Sequence, residues 1–157
     1  MKSVYIESSV ISYITARPSR DIVTSARQTI TIEWWEEYKD SFDAFISELV
    51  IEEIGSGDLV AAKRRLSVIE KIPVLEATEN SITLSKALIA EKAIPRSSAE
   101  DALHISIAAV QGIDFLRTWS FKHINNANTR DRISKVIILQ DYICPVLCSP
   151  EELISDK

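Results

Sequence analysis

The sequence predicts an α/β fold built on a mainly parallel sheet. Short apolar runs of strand length alternate along the chain with longer segments of helical period. Runs such as Ala44-Phe45-Ile46 and Val136-Ile137-Ile138-Leu139 also lack the polar alternation of a half-exposed strand, as expected where both sheet faces are covered. Composition agrees: of 157 residues, 46% are hydrophobic and 26% charged, and three glycines and five prolines leave little material for long loops. No repeat, low-complexity segment or linker interrupts residues 1–157, so one domain is expected.

Val4-Tyr5-Ile6 reads as a short buried first strand, and residues 9–16 as a short helix ending before Pro18. A long helical pattern runs from Asp21 to about Tyr38. Ala44-Phe45-Ile46 is the second strand, with Ser47 placed to cap the next helix. That helix reaches Gly55, a residue favoured just past a helix C-terminus. A further helix starts near Asp58 and is expected to continue to Pro73. Residues 73–76 read as a short strand and 79–92 as a helix. Ser97-Ser98-Ala99-Glu100 has the form of a capping box, ahead of a nearly all-round apolar and therefore buried helix. Residues 114–119 are the next strand and 127–135 a polar helix. Residues 136–139 follow as a strand, and 145–148 as a short last one.

Several function classes are disfavoured. Met1-Lys2-Ser3 leads straight into a strand-like run rather than a secretory signal, and no stretch approaches the ~18 uninterrupted apolar residues of a membrane span. A cytoplasmic protein without membrane association is expected. Cys144 and Cys148 lack further ligands at zinc-finger spacing, which favours reduced, partly buried thiols. The net charge of −5 argues against non-specific coating of nucleic acid, yet leaves room for a nuclease with an acidic metal site.

Three acids stand where chemistry is expected. Glu7 follows the first strand, at the C-terminal edge where open parallel sheets carry their sites. In Ser47-Glu48-Leu49-Val50-Ile51-Glu52-Glu53-Ile54, a turn of ~100° per residue sets Glu52 opposite the apolar stripe and Glu53 on its flank. Glu53 is the favoured second acid, because a carboxylate there needs a partner or an ion. Asp101 lies early in the buried helix beside Ile105 and Ala108; with Glu100 assigned to capping, Asp101 is left on an apolar face. His104, one turn on, is either a hydrogen-bonded core histidine or a member of the same site. Three carboxylates form a hard oxygen cluster suited to Mg²⁺ or Mn²⁺. Such an ion keeps waters, one of which can attack a phosphodiester while the metal stabilises the developing charge. A phospho-receiver-like pocket around Glu7 is the weaker alternative, since the second strand ends in Ser47 rather than a phosphoacceptor aspartate.

The stretches Val4-Tyr5-Ile6-Glu7-Ser8-Ser9-Val10, Phe45 to Ile54, Ser98 to Ala108 and Asp114 to Ile124 resemble the motifs of PIN-domain proteins, in order and spacing. That family of metal-dependent ribonucleases includes the VapC-like toxins of bacterial toxin–antitoxin pairs, and the resemblance covers essentially the whole chain. It implies a PIN-like three-layer α/β/α sandwich with a central, mainly parallel sheet. It further implies a Mg²⁺- or Mn²⁺-dependent endoribonuclease, an RNA substrate, an antitoxin partner and a homodimer. Glu7 stands where the family usually has aspartate; Glu53 and Asp101 match its helix acid and central aspartate. At the fourth motif Thr118-Trp119 is followed by Ser120 in place of an acid, so weaker metal binding is expected, or occupancy that depends on RNA phosphates. Ser8, Ser120 and His104 are candidates for the outer shell of the site. The alternative function is a catalytically weak or inactive PIN-like module that binds RNA or protein.

Arg117, Lys122, His123, Asn125, Asn126, Arg130 and Arg132 gather near the fourth motif, interleaved with Trp119 and Phe121. Arg117, Lys122 and Asn125 are the candidate RNA contacts. Trp119 and Phe121 read equally well as stacking platforms or as core. Lys63, Arg64, Arg65 and Lys71 are expected to be a solvated helix face. Trp34 and Trp35, adjacent on a helix, cannot both face the same side, which leaves one available to a partner.

Overall fold

A computed structural model describes residues 1–120 and 127–153. Its strands are β1 (Ser3–Ile6), β2 (Asp43–Ser47), β3 (Val74–Leu75), β4 (Phe115–Arg117) and β5 (Val146–Cys148). They form one five-stranded sheet in the order β3-β2-β1-β4-β5, and every pairing is parallel. Parallel neighbours require crossover connections, which the helices supply. These are α1 (Ser8–Thr15), α2 (Ile22–Glu33), α3 (Glu48–Ile54), α4 (Leu59–Val68), α5 (Glu79–Ala90), α6 (Ala99–Val110) and α7 (Ala127–Leu139). α1 packs against α2, α3 and α4, while α5 packs against α6 and α7. The result is the expected three-layer α/β/α sandwich. Val4, Tyr5 and Ile6 are all fully buried, which accounts for an apolar β1 without alternation.

Short polar residues mark where strands and loops turn into helices. Thr24 N–H donates to Asp21 (2.9 Å), Val50 N–H to Ser47 (3.4 Å), Ala61 N–H to Asp58 (2.9 Å) and Ser81 N–H to Thr78 (3.2 Å). At the other end of α3, Arg65 donates to the carbonyls of Ile54 (2.8 Å) and Ser56 (2.9 Å). Lys63, Arg64 and Lys71 are solvated as expected, but Arg65 ties α4 to the end of α3.

Three expectations change. Residues 136–139 are the last turn of α7, not a strand. Ile133, Val136 and Ile137 are buried while Ile138 and Leu139 are 61% and 79% exposed, a spacing of three and four that only a helix gives. The helix from Asp58 stops at Val68, short of Pro73. The capping box ahead of α6 does not form: residues Arg96–Ser98 make a 3-10 turn, and Ser98 is the N-cap without a side-chain capping bond. α2 continues into a π-helical turn, Trp34–Tyr38, with Trp34 fully buried and Trp35 half-buried. No helix among the described residues is long and apolar enough to cross a membrane.

The strand order sets the place of the site. From β1 the chain builds outward through β2 and β3 on one side, then returns to lay β4 and β5 on the other. The carboxyl ends of β1 and β4 are therefore the switch point, where connecting segments diverge and leave a crevice.

Candidate active site

Glu7 stands at that crevice, one residue past β1 and at the N-cap of α1. Its backbone N–H donates to the carbonyl of Arg117 at the end of β4 (3.1 Å). The carboxylate is only 8% exposed. Oε1 accepts from the hydroxyls of Ser9 and Thr118, the latter at 2.6 Å. Each hydroxyl is itself oriented by a backbone donor: Trp119 N–H reaches Ser9 Oγ (2.9 Å) and Ser120 N–H reaches Thr118 Oγ1 (2.9 Å). The turn after β4 thus holds a carboxylate anchored on β1. Neither Ser9 nor the orienting role of Thr118 follows from the sequence, although a hydroxyl two residues after an acid is a common local partner for it.

Glu53 projects from the last turn of α3 on the inner flank, half-buried, while Glu52 is exposed, as the helical-face argument expects. Its Oε1 accepts from Ser8 Oγ (2.5 Å) and lies 2.6 Å from His104 Nε2. Burial pushes the Glu53 carboxyl up, but the hydrogen bonds from His104 and from the Ser8 hydroxyl outweigh it, leaving its pKa below the ordinary 4.5. On the far side of the imidazole, Nδ1 lies 2.6 Å from Tyr5 Oη, which lies 2.7 Å from Ser47 Oγ. Burial pushes the Tyr5 phenol well up, so it stays protonated.

A carboxyl whose folded pKa is depressed stabilises the fold above its unfolded pKa, and that contribution disappears as pH falls through the folded value. Wild type is expected to exceed a Glu53→Gln variant in urea midpoint at neutral pH, with the gap closing as pH drops below 4.5. A gap of constant size through the acid range would show that Glu53 is not held ionised by its partners.

Asp101, in the first turn of α6, is half-buried and shares a small cavity with Glu7, His104, Thr118 and Ser120. The cavity volume is about 10 Å³, room for about one water-sized sphere. Ser120 Oγ makes a long 3.5 Å contact to Asp101 Oδ2. The tightest group of ligand atoms is Glu7, Glu53 and His104, all within 4.8 Å of one another. Asp101 stands outside that group but lines the cavity together with Glu7. The donor set fits a small divalent cation. Every hydrogen bond that Glu7 and Glu53 make to described residues ends on Oε1, so each keeps Oε2 for another partner.

Arg117 is not at this crevice. It is fully buried, with Nη1 donating to the Ser149 carbonyl (2.7 Å) and the guanidinium 4.7 Å from the Trp34 ring centre and 5.8 Å from that of Phe42. Strand alternation explains the correction. Leu116, Thr118 and Ser120 line the cavity, so Arg117 between them faces the other side. Trp119 is core as well: 6% exposed, with Nε1 donating to Thr31 Oγ1 (2.7 Å). Lys122, His123, Asn125 and Asn126, like Phe121, lie outside the described residues. Arg132 is exposed at the head of α7, and Arg130 is half-buried there. Burial raises both thiols to about 11, so neither Cys144 nor Cys148 is a nucleophile at neutral pH.

At the level of sequence, no family model and no curated protein matches this chain. Solved structures do share its fold. VapC20 of Mycobacterium tuberculosis, a toxin that cleaves the sarcin–ricin loop, superposes with a TM-score of 0.60 at 14% identity, over 76% of this chain and 92% of its own. VapBC2 of Rickettsia felis, solved bound to a DNA fragment from its promoter, gives 0.55 at 11% identity, over 93% and 97%. At such identities the likeness carries the fold, and the fold is that of the PIN domain.

Proposed function

We propose that the protein is a metal-dependent endoribonuclease of the VapC-like kind, the toxin half of a toxin–antitoxin pair. What supports this reading is the grouping of Glu7, Glu53 and His104 at the switch point of a PIN-like fold, with Asp101 lining the cavity beside Glu7. Glu7, Glu53 and Asp101 would hold Mg²⁺ or Mn²⁺. The ion would supply Lewis-acid stabilisation of charge on a scissile phosphate and make a bound water more acidic. Ser9 and Thr118 keep Glu7 in one orientation, and Ser8 and His104 do the same for Glu53. Ser120 adds a hydroxyl beside Asp101 but no charge. The partners in this reading are an RNA strand, an antitoxin protein and a second copy of the chain.

The test is cleavage of a panel of RNAs in Mn²⁺ by wild type and Asp101→Asn. Metal-dependent cleavage by wild type and its loss in the variant are expected; equal activity in both removes Asp101 from the site. Ser120 motivates one alternative, a module that keeps the fold for binding without turnover. Calorimetric titration with Mn²⁺ separates the two, because only the nuclease requires metal uptake.

A further inference from the structure

A buried relay of hydrogen bonds ends on one of the acids, and it draws on four separate elements. Ser47 closes β2, Tyr5 lies in β1, His104 in α6 and Glu53 in α3. Ser47 and Tyr5 are fully buried and His104 is 2% exposed, so no solvent competes for these groups. Chemistry sets the direction of the relay. The Glu53 carboxylate only accepts, so Nε2 of His104 carries a proton and donates to it across 2.6 Å. Nδ1 lies 2.6 Å from the Tyr5 hydroxyl, which donates to it when Nε2 carries the only ring proton. The Tyr5 oxygen in turn accepts from Ser47 Oγ (2.7 Å), which accepts the Val50 N–H as the N-cap of α3. Each member donates once along the chain, from the backbone of α3 round to the acid on the same helix.

The same imidazole lies within ligand reach of Glu7 and Glu53. A nitrogen donor there favours zinc and its neighbours, whereas carboxylates alone suit magnesium and manganese. We propose that Tyr5, acting through His104, sets the cation preference of this site. By donating to Nδ1 it holds the proton on Nε2, keeps the imidazole a donor to Glu53, and leaves only oxygen to ligate the ion. Tyr5 and His104 are positioning residues, and the proposal rests on the reading that the site takes up a divalent cation.

The first test needs no metal. In ¹⁵N-labelled, metal-free protein, the imidazole signals of His104 are identified by their loss in His104→Gln. A protonated Nε2 beside an unprotonated Nδ1 is expected, and an unprotonated Nε2 or a proton on Nδ1 overturns the proposal. The second uses Tyr5→Phe, which keeps the ring and removes the hydroxyl. Calorimetry with Zn²⁺ and with Mn²⁺ is expected to show the Zn²⁺-to-Mn²⁺ affinity ratio rising by about tenfold or more, the usual scale for loss of an outer-shell partner. Electron spin-echo spectra with Mn²⁺ are expected to show coupled imidazole nitrogen in the variant and none in wild type. An unchanged ratio with normal uptake, or coupled nitrogen in wild type, overturns the proposal alone. No uptake of either ion by wild type overturns it together with the nuclease reading.

Discussion

Replacing Glu7 by glutamine is expected to lower Mn²⁺-dependent RNA cleavage by about a thousandfold while leaving the fold intact. Glutamine keeps an oxygen where Oε1 stands, so Ser9 and Thr118 still have an acceptor and the turn after β4 keeps its anchor. What is lost is the negative charge at the centre of the crevice. A metal's stabilisation of phosphoryl charge is worth several kcal/mol, and each 1.36 kcal/mol is about tenfold in rate. If Glu7 is one of the charges that hold the ion, its loss reaches about three powers of ten. Single-turnover cleavage paired with thermal denaturation checks both halves. Wild-type cutting by Glu7→Gln would exclude the carboxylate from the chemistry. A large drop in melting temperature would mean that its role is structural.

Glu7→Asp examines the other unusual feature of this corner. The shorter side chain keeps the charge but draws it back from Ser9 and Thr118, the hydroxyls that clamp the longer one. If the clamp places the carboxylate, the aspartate variant falls between wild type and Glu7→Gln. The clamp also explains how a glutamate serves at the end of β1. An extra rotatable bond adds freedom, and two hydroxyls, each fixed by a backbone N–H, remove it again.

Residues whose environment is set by local geometry were legible in the sequence. Glu53 follows from the helical projection of α3, and Glu7 from its place after a buried strand, because both depend on periods of a few residues. The sheet was legible in class, since strands covered on both faces must be apolar throughout. The same rule misled at residues 136–139, where four apolar residues in a row suit a buried strand and a helix end equally well. Ile133, three residues earlier, decides for the helix, and only a window wider than the run itself shows it. His104 was undecided because its partners, Tyr5 and Glu53, are 99 and 51 residues away. The capping box that would set Asp101 apart from helix capping does not form, and what distinguishes this acid is the cavity it shares with Glu7.

Arg117 yields the largest expected effect on stability. A basic residue beside the fourth motif reads naturally as a phosphate contact, yet its guanidinium lies in the core against Trp34 and Phe42. Arg117→Ala removes a desolvated cation–π contact worth about 2 kcal/mol and a charged hydrogen bond worth about 1.5–3 kcal/mol. It also leaves the buried Ser149 carbonyl without this donor. A loss of roughly 3–5 kcal/mol is expected, and about 6–20 °C in melting temperature for a chain of this size. Arg117→Met separates packing from charge. It refills most of the volume and removes a cation that is costly to bury, so it should unfold at a temperature well above Arg117→Ala. Arg117→Lys should fall closer to alanine than to wild type, because an ammonium cannot stack flat on Trp34 while reaching Ser149. Thermal denaturation of the three variants decides the matter. An alanine variant as stable as wild type, with weakened RNA binding, would return Arg117 to the surface role that its neighbours in the sequence suggest.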